Sequence, residues 1–120
     1  MKIAFSTSGA DLSAPLDTRF GRAPKFLVYD TDAATFELVD NTQNLNAAQG
    51  AGIQSAQRVA GTGAQALVSG HCGPKAFLVL QTAGIKVYIS SAQTIAEALK
   101  AHQDGQLAEI KSADVEGHWL

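Results

Sequence analysis

A chain of 120 residues, 46% hydrophobic and 17% charged, is long enough for one core, too short for two, and too apolar to be disordered. Its formal net charge of −2 gives no long-range attraction to nucleic acid or to an anionic membrane, and no apolar run approaches the ~20 residues that span a bilayer. The single cysteine excludes an intramolecular disulfide, and the N-terminus lacks the apolar segment of a signal peptide. A reducing cytoplasm is therefore the expected location.

Strand and helix signals alternate along the chain. Lys2–Thr7 reads as a first strand. A long polar stretch then runs to about Pro24, of the kind that is either functional or mobile in a small domain. Phe26–Asp30 and Phe36–Val39 read as a strand pair close enough to form a hairpin. From Ala47 to Ala60, Ile53, Ala56, Val59 and Ala60 recur at helical spacing, with Gly61 and Gly63 as stop signals.

Ala66–Ser69 is a short apolar strand, and Pro74 opens a helix closed by Gly84. The run Ala76-Phe77-Leu78-Val79-Leu80 predicts a helix buried all round. Ile85–Ile89 is the last strand. Thr94-Ile95-Ala96-Glu97 resembles a capping box opening a helix to about His102, ended by Asp104-Gly105. The tail to Leu120 carries no readable period.

The order βββαβαβα predicts an α/β fold. Its five-stranded mixed sheet has parallel pairs through right-handed crossovers and one antiparallel strand from the hairpin. Ligands of such sheets bind beyond the carboxyl ends of the parallel strands. Three glycine-bearing loops reach that rim, namely Ser8 onward, Gln49-Gly50-Ala51-Gly52 and Gly70-His71-Cys72-Gly73.

The stretch Ser69-Gly70-His71-Cys72-Gly73-Pro74-Lys75 holds the sole cysteine. A closed zinc site needs four ligands, and no C-x-x-C or H-x-x-x-H partner exists; His102 and His118 stand alone. Adjacent histidine and cysteine side chains usually point apart, so a catalytic pair requires a sharp turn. A thiolate at a helix start would suit a soft metal, while a small buried cysteine is the commoner case. Asp30 and Asp32 alternate onto one face like a paired-carboxylate metal site, but the first strand lacks the acidic residue a two-metal nuclease requires.

The segments "DTRFGRAPKF" (17–26), "GAGIQSAQ" (50–57), "GHCGPKAF" (70–77) and "AGIKVY" (83–88), with the Gly105-Gln106-Leu107 ending, occur here in a familiar order. It is the order of the dinitrogenase iron–molybdenum cofactor family, which includes NifX and the carboxyl-terminal domain of NifB. The chain resembles that family from residue 1 to about 107, leaving 108–120 as a tail. Its stand-alone size is similar to the orange proteins of sulfate reducers, associated with a molybdenum–copper sulfide cluster. The resemblance implies a ribonuclease H-like fold. It further implies a non-enzymatic carrier, in an anaerobe, of an anionic molybdenum-containing metal–sulfur cluster of the Mo–Cu sulfide or Fe–Mo–S type. A protein that donates or accepts the cluster would then be a partner.

Such a carrier needs positive charge, backbone N–H donors and an exchangeable soft contact. Arg19, Arg22 and Lys25 form the one concentrated basic cluster, with Phe20 and Phe26 as anchors. By spacing alone they read as a solvated loop; the resemblance makes Arg19 and Arg22 cluster contacts. Gly50 and Gly52 either admit an anion to a helix start or serve tight packing. Gly70 and Gly73 frame the second donor loop, and Ser8 is a further hydroxyl donor. His71 is the expected metal or sulfide contact, with Cys72, which stands where the family often has an aliphatic residue, beside it. Two other classes stay open: a Cys72-dependent enzyme, and a partner-binding module whose rim holds no metal.

Overall fold

The computed structural model of the protein describes residues 1–42 and 51–111. Five strands, β1 (Lys2–Thr7), β2 (Lys25–Asp30), β3 (Thr35–Asp40), β4 (Ala66–Ser69) and β5 (Lys86–Ile89), form one sheet in the order β3-β2-β1-β4-β5. β1 pairs in parallel with β4, and β4 with β5. β2 runs antiparallel to both β1 and β3. Among the described residues three helices cover the sheet: α1 (Ala51–Ala60), α2 (Pro74–Thr82) and α3 (Ile95–Gln103). The expected ribonuclease H-like α/β order, with one antiparallel strand, is the order observed.

Alternation along the strands divides the core in two. Ala4, Phe26, Val28, Leu67 and Val87 face α1 and α2, against Ala56, Val59, Phe77 and Leu80. Ile3, Phe5, Leu27, Ala66 and Val68 face the other way, against Ile95, Ala98 and Leu99 of α3. Pro74 opens α2 behind the N-cap Gly73, and Thr94 caps α3 by accepting from the Glu97 N–H at 3.2 Å. Gly84 and Gly105 follow α2 and α3 with φ of +78° and +72°, the left-handed geometry that ends a helix cheaply only at glycine.

One helix departs from expectation. α2 is not buried all round, because Leu78 is 62% exposed. Only Ala76, Phe77 and Leu80 turn fully inward, since the helix packs on the sheet and α1 and leaves its outer face uncovered. Residues just beyond 107 contact β5. Glu109 bridges Tyr88, and the Ile110 N–H donates to the Val87 carbonyl at 2.9 Å, covering the outer edge of β5. On the opposite edge β3 is exposed almost throughout, including Phe36 and Leu38.

His102, in the last turn of α3, meets Tyr88 edge-on, with ring centroids 4.8 Å apart at 89°. Burial disfavours its cation and lowers its pKa below the ordinary 6.5. The unfolded chain then binds the proton more readily. The stabilisation is complete above the unfolded value and is lost as pH falls through it toward the lower folded value. A His102→Gln variant is expected to lose less stability than the parent between pH 7.5 and 5 (about two units around the His value), as urea midpoints at the two pH values would show. Equal losses would remove this role.

Candidate functional site

β1, β3, β4 and β5 all run the same way, so their carboxyl ends share one edge with the start of β2. The loop from Ser8 to Pro24 crosses that edge as a tied strap. Its first limb lies against α3. The Leu16 N–H donates to the Gln93 carbonyl at 3.1 Å, and the Ala14 and Leu12 carbonyls accept from Ile95 N–H (3.0 Å) and Ala96 N–H (2.8 Å). The first-turn donors of α3 are thereby taken up by the chain itself. Ser8, a candidate anion donor, is exposed in the bend leaving β1, next to the Thr7–Leu16 bridge.

The strap's apex rests on β1 and β4. The Ser6 and Ser69 hydroxyls, both fully buried, are hydrogen-bonded at 2.8 Å, and Ser6 Oγ donates to the Asp17 carbonyl at 3.0 Å. The Asp17 N–H donates back to the Ser6 carbonyl at 2.7 Å. Gly70, expected to offer its N–H to an anion, instead gives it to the Asp17 carbonyl at 3.4 Å. A Cβ on Gly70 would lie 2.5 Å from the Thr18 Cα and 2.7 Å from its carbonyl oxygen. The need for glycine there is close backbone approach.

Beyond the apex, Phe20–Arg22 form a single 3-10 turn. Phe20 is its anchor, buried beside Phe26 with ring centroids 5.2 Å apart. The Phe20 N–H donates to the His71 carbonyl at 3.1 Å, so the arginine turn and the histidine loop are joined directly. Asp17 Oδ1 accepts the Arg19 N–H at 2.9 Å while the Arg19 side chain is exposed. Arg22 and Lys25 are half-buried. Lys25 begins β2 opposite Asp40, whose pKa is lowered first by the Thr42 N–H and hydroxyl and further by Arg58 and Lys25. Part of the Lys25 charge is thus already answered.

Gly21 lies against the backbone of Gly52 at the start of α1; an added Cβ would come within 3.1 Å of the Gly52 Cα. A Cβ on Gly52 would in turn stand 3.3 Å from Ala76 Cβ. Of the two readings open for Gly52, tight packing is the one this geometry displays. Gly50 lies outside the described residues, as does His118. Gly73 is the N-cap of α2, with no side chain capping the first turn, and Lys75 is exposed beside it.

His71 and Cys72 part company. His71 is exposed at the rim, whereas Cys72 is 1% exposed and packs with Phe20, Leu67 and Phe77. Its sulfur lies 3.8 Å from the Gly73 carbonyl oxygen. The thiol is therefore placed in the core, and its sulfur is not presented at the surface. Among the described residues no three His, Cys, Asp or Glu side chains converge as a metal cage. A thiol reagent is expected to label Cys72 in the native protein at least about a hundredfold more slowly than in urea, as burial of the sulfur implies. Equal rates would place the sulfur at the surface.

The residues that order this rim without carrying charge, Ser6, Ser69, Asn41 and Ser55, do not stand out in the sequence. A hydroxyl closing an otherwise apolar strand, twice over, is the available signal for the serines.

The topology defines a ribonuclease H-like α/β domain with basic loops gathered at the carboxyl edge of its sheet. The chain belongs to the dinitrogenase iron–molybdenum cofactor family, whose sequence profile matches residues 1–105. It is 32% identical over 114 residues to an uncharacterized protein of Methanocaldococcus jannaschii, covering 92% of both chains. Its structure is similar to the apo form of the orange protein from Desulfovibrio gigas (TM-score 0.92, 39% identity, 95% of this chain and 96% of that one). It also resembles a NifB-related protein from Thermotoga (TM-score 0.84, 35% identity, 97% and 98% covered).

Proposed function

We propose that this protein binds and carries a preformed, anionic molybdenum-containing metal–sulfur cluster and turns over no substrate. One observation carries the reading: a basic turn, Arg19–Arg22, is joined to the His71 loop at the carboxyl rim by the Phe20 N–H bond to the His71 carbonyl. Fixed cations cost little to organise when an anion arrives, and arginine presents several N–H donors to sulfide or oxo edges at once. His71 makes the closest contact, donating to a sulfide or ligating the metal. The α2 start, with glycine as its N-cap and Lys75 beside it, adds partial positive charge. Lys25 assists electrostatically. The Cys72 thiol supports the loop from beneath and becomes a ligand only if that loop opens.

Membership of the family and likeness to the orange protein support this reading. A cargo held by charge and hydrogen bonds, with one or two metal–ligand bonds, exchanges readily with a donor or acceptor protein in the cytoplasm. The burial of the thiol supports the carrier reading over a Cys72-dependent enzyme. No described helix is long and apolar enough to cross a membrane.

The test is anaerobic purification from the native host, followed by metal analysis, acid-labile sulfide and the visible spectrum. Molybdenum with sulfide and charge-transfer bands is the expected result, and copper or iron then names the cluster. A colourless protein that also fails to take up tetrathiomolybdate with copper(I) or iron(II) would overturn the proposal in favour of a partner-binding module.

A further inference from the structure

Asn41 follows β3 and is fully buried although polar. Its side-chain amide donates to the Ala23 carbonyl at 2.8 Å and to Ser55 Oγ of α1 at 3.0 Å. Its backbone N–H donates to the Pro24 carbonyl at 2.8 Å. Two of these three bonds land on the residues directly after Arg22. The third reaches α1 one turn beyond Gly52, the residue against which Gly21 is pressed. β3, α1 and the basic turn therefore meet at one residue.

We propose that Asn41 is the positioning residue of the basic turn. Acting through the Ala23–Pro24 backbone, it sets where Arg22 stands; the proposal rests on the cluster-binding reading above. The turn is held on its leading side by the Phe20 N–H to His71 carbonyl bond and on its trailing side by Asn41. Between them Gly21 has no room to shift against α1. The side-chain requirement is narrow. Aspartate lacks the two N–H donors, leucine of similar size leaves the Ala23 carbonyl and Ser55 hydroxyl without this partner, and glutamine is longer by a methylene. A buried polar group bonded to several elements admits one arrangement and penalises the others.

The test measures tetrathiomolybdate affinity at several salt concentrations for the full chain and for Asn41→Leu, Ser55→Ala, Arg22→Gln and the Asn41→Leu/Arg22→Gln pair. Asn41→Leu is expected to bind about tenfold more weakly with a shallower salt dependence, the loss appropriate to one misplaced charged contact. With Arg22 already removed, the same substitution should cost no more than about twofold, because the two effects pass through one group. Unchanged affinity and salt slope, with only the unfolding midpoint lowered, would overturn the proposal, as would an equal loss in both backgrounds.

If Asn41→Leu fails to fold, Ser55→Ala removes one acceptor and is expected to weaken binding roughly threefold; no change there is equally fatal. Should the unaltered protein bind no tetrathiomolybdate, alone or with copper(I) or iron(II), the cluster reading falls, and amide exchange decides the role of Asn41 separately. Exchange at Phe20 and Ala23 must then quicken about tenfold in the variants while β1 and β4 stay protected. Unchanged exchange refutes the positioning role.

Discussion

Replacing Arg19 and Arg22 together by glutamine is expected to weaken tetrathiomolybdate binding by roughly a hundredfold at low salt, two charge-assisted hydrogen bonds being lost. The residual binding should vary little with salt. Glutamine keeps polarity and most of the length, so the Phe20 anchor and the Asp17 contact to the Arg19 N–H remain. A change in affinity then reports the charge. In the parent protein retention should fall as salt rises, because Arg19 is exposed and open to screening. The substitution at Lys25 should matter less, since Asp40 stands opposite it. An unaltered affinity in the double variant would mean that the anion site lies elsewhere.

The largest effect on stability is expected at Gly70. Alanine there drives a methyl group to 2.5 Å from the Thr18 Cα, and the atoms it meets are backbone on both strap and strand end. Neither side can yield by rotating a side chain. The expected loss is about 3 kcal/mol, the upper part of the overpacking range, seen as a drop in the denaturant midpoint at unchanged slope. Gly52→Ala is the matched control. Its Cβ would meet the Ala76 methyl at 3.3 Å, and alanine favours a helix over glycine by about 1 kcal/mol, so the net change should be near zero. A Gly70→Ala protein as stable as its parent would show that the strap does not keep this approach in solution.

Much of the architecture is legible in the sequence because each element carries its own period and punctuation. Pro74 and Gly84 bound α2, and Thr94 and Asp104-Gly105 bound α3, within a residue or so of the structure. The exposure of Leu78 is not legible, because a continuous apolar run has no period, and only the packing of α2 against its neighbours decides which side is left open. The strap from Ser8 to Pro24 has no local signal of order. Its fixity comes from partners as distant in sequence as Ser69, Gln93 and Ile95.

The charged part of the site is legible in the same way, as Arg19, Arg22 and Lys25 crowd into one short loop. What each glycine is for cannot be read. In the sequence, Gly70 and Gly52 look like places for an anion to approach a backbone. The structure shows another backbone, or a methyl group, already there. Asn41 is invisible for a related reason: an asparagine after a strand reads as a turn former, and its burial is set by α1 and the arginine turn closing over it.

The two long edges of the sheet are unequal. Glu109 and Ile110 lie along β5, whereas among the described residues nothing pairs with the outer side of β3. Extension of the sheet is therefore possible in one direction only. Two copies meeting β3 to β3 would present the occupied β5 edge on both flanks, leaving no template for a third. Association by that route ends at a pair.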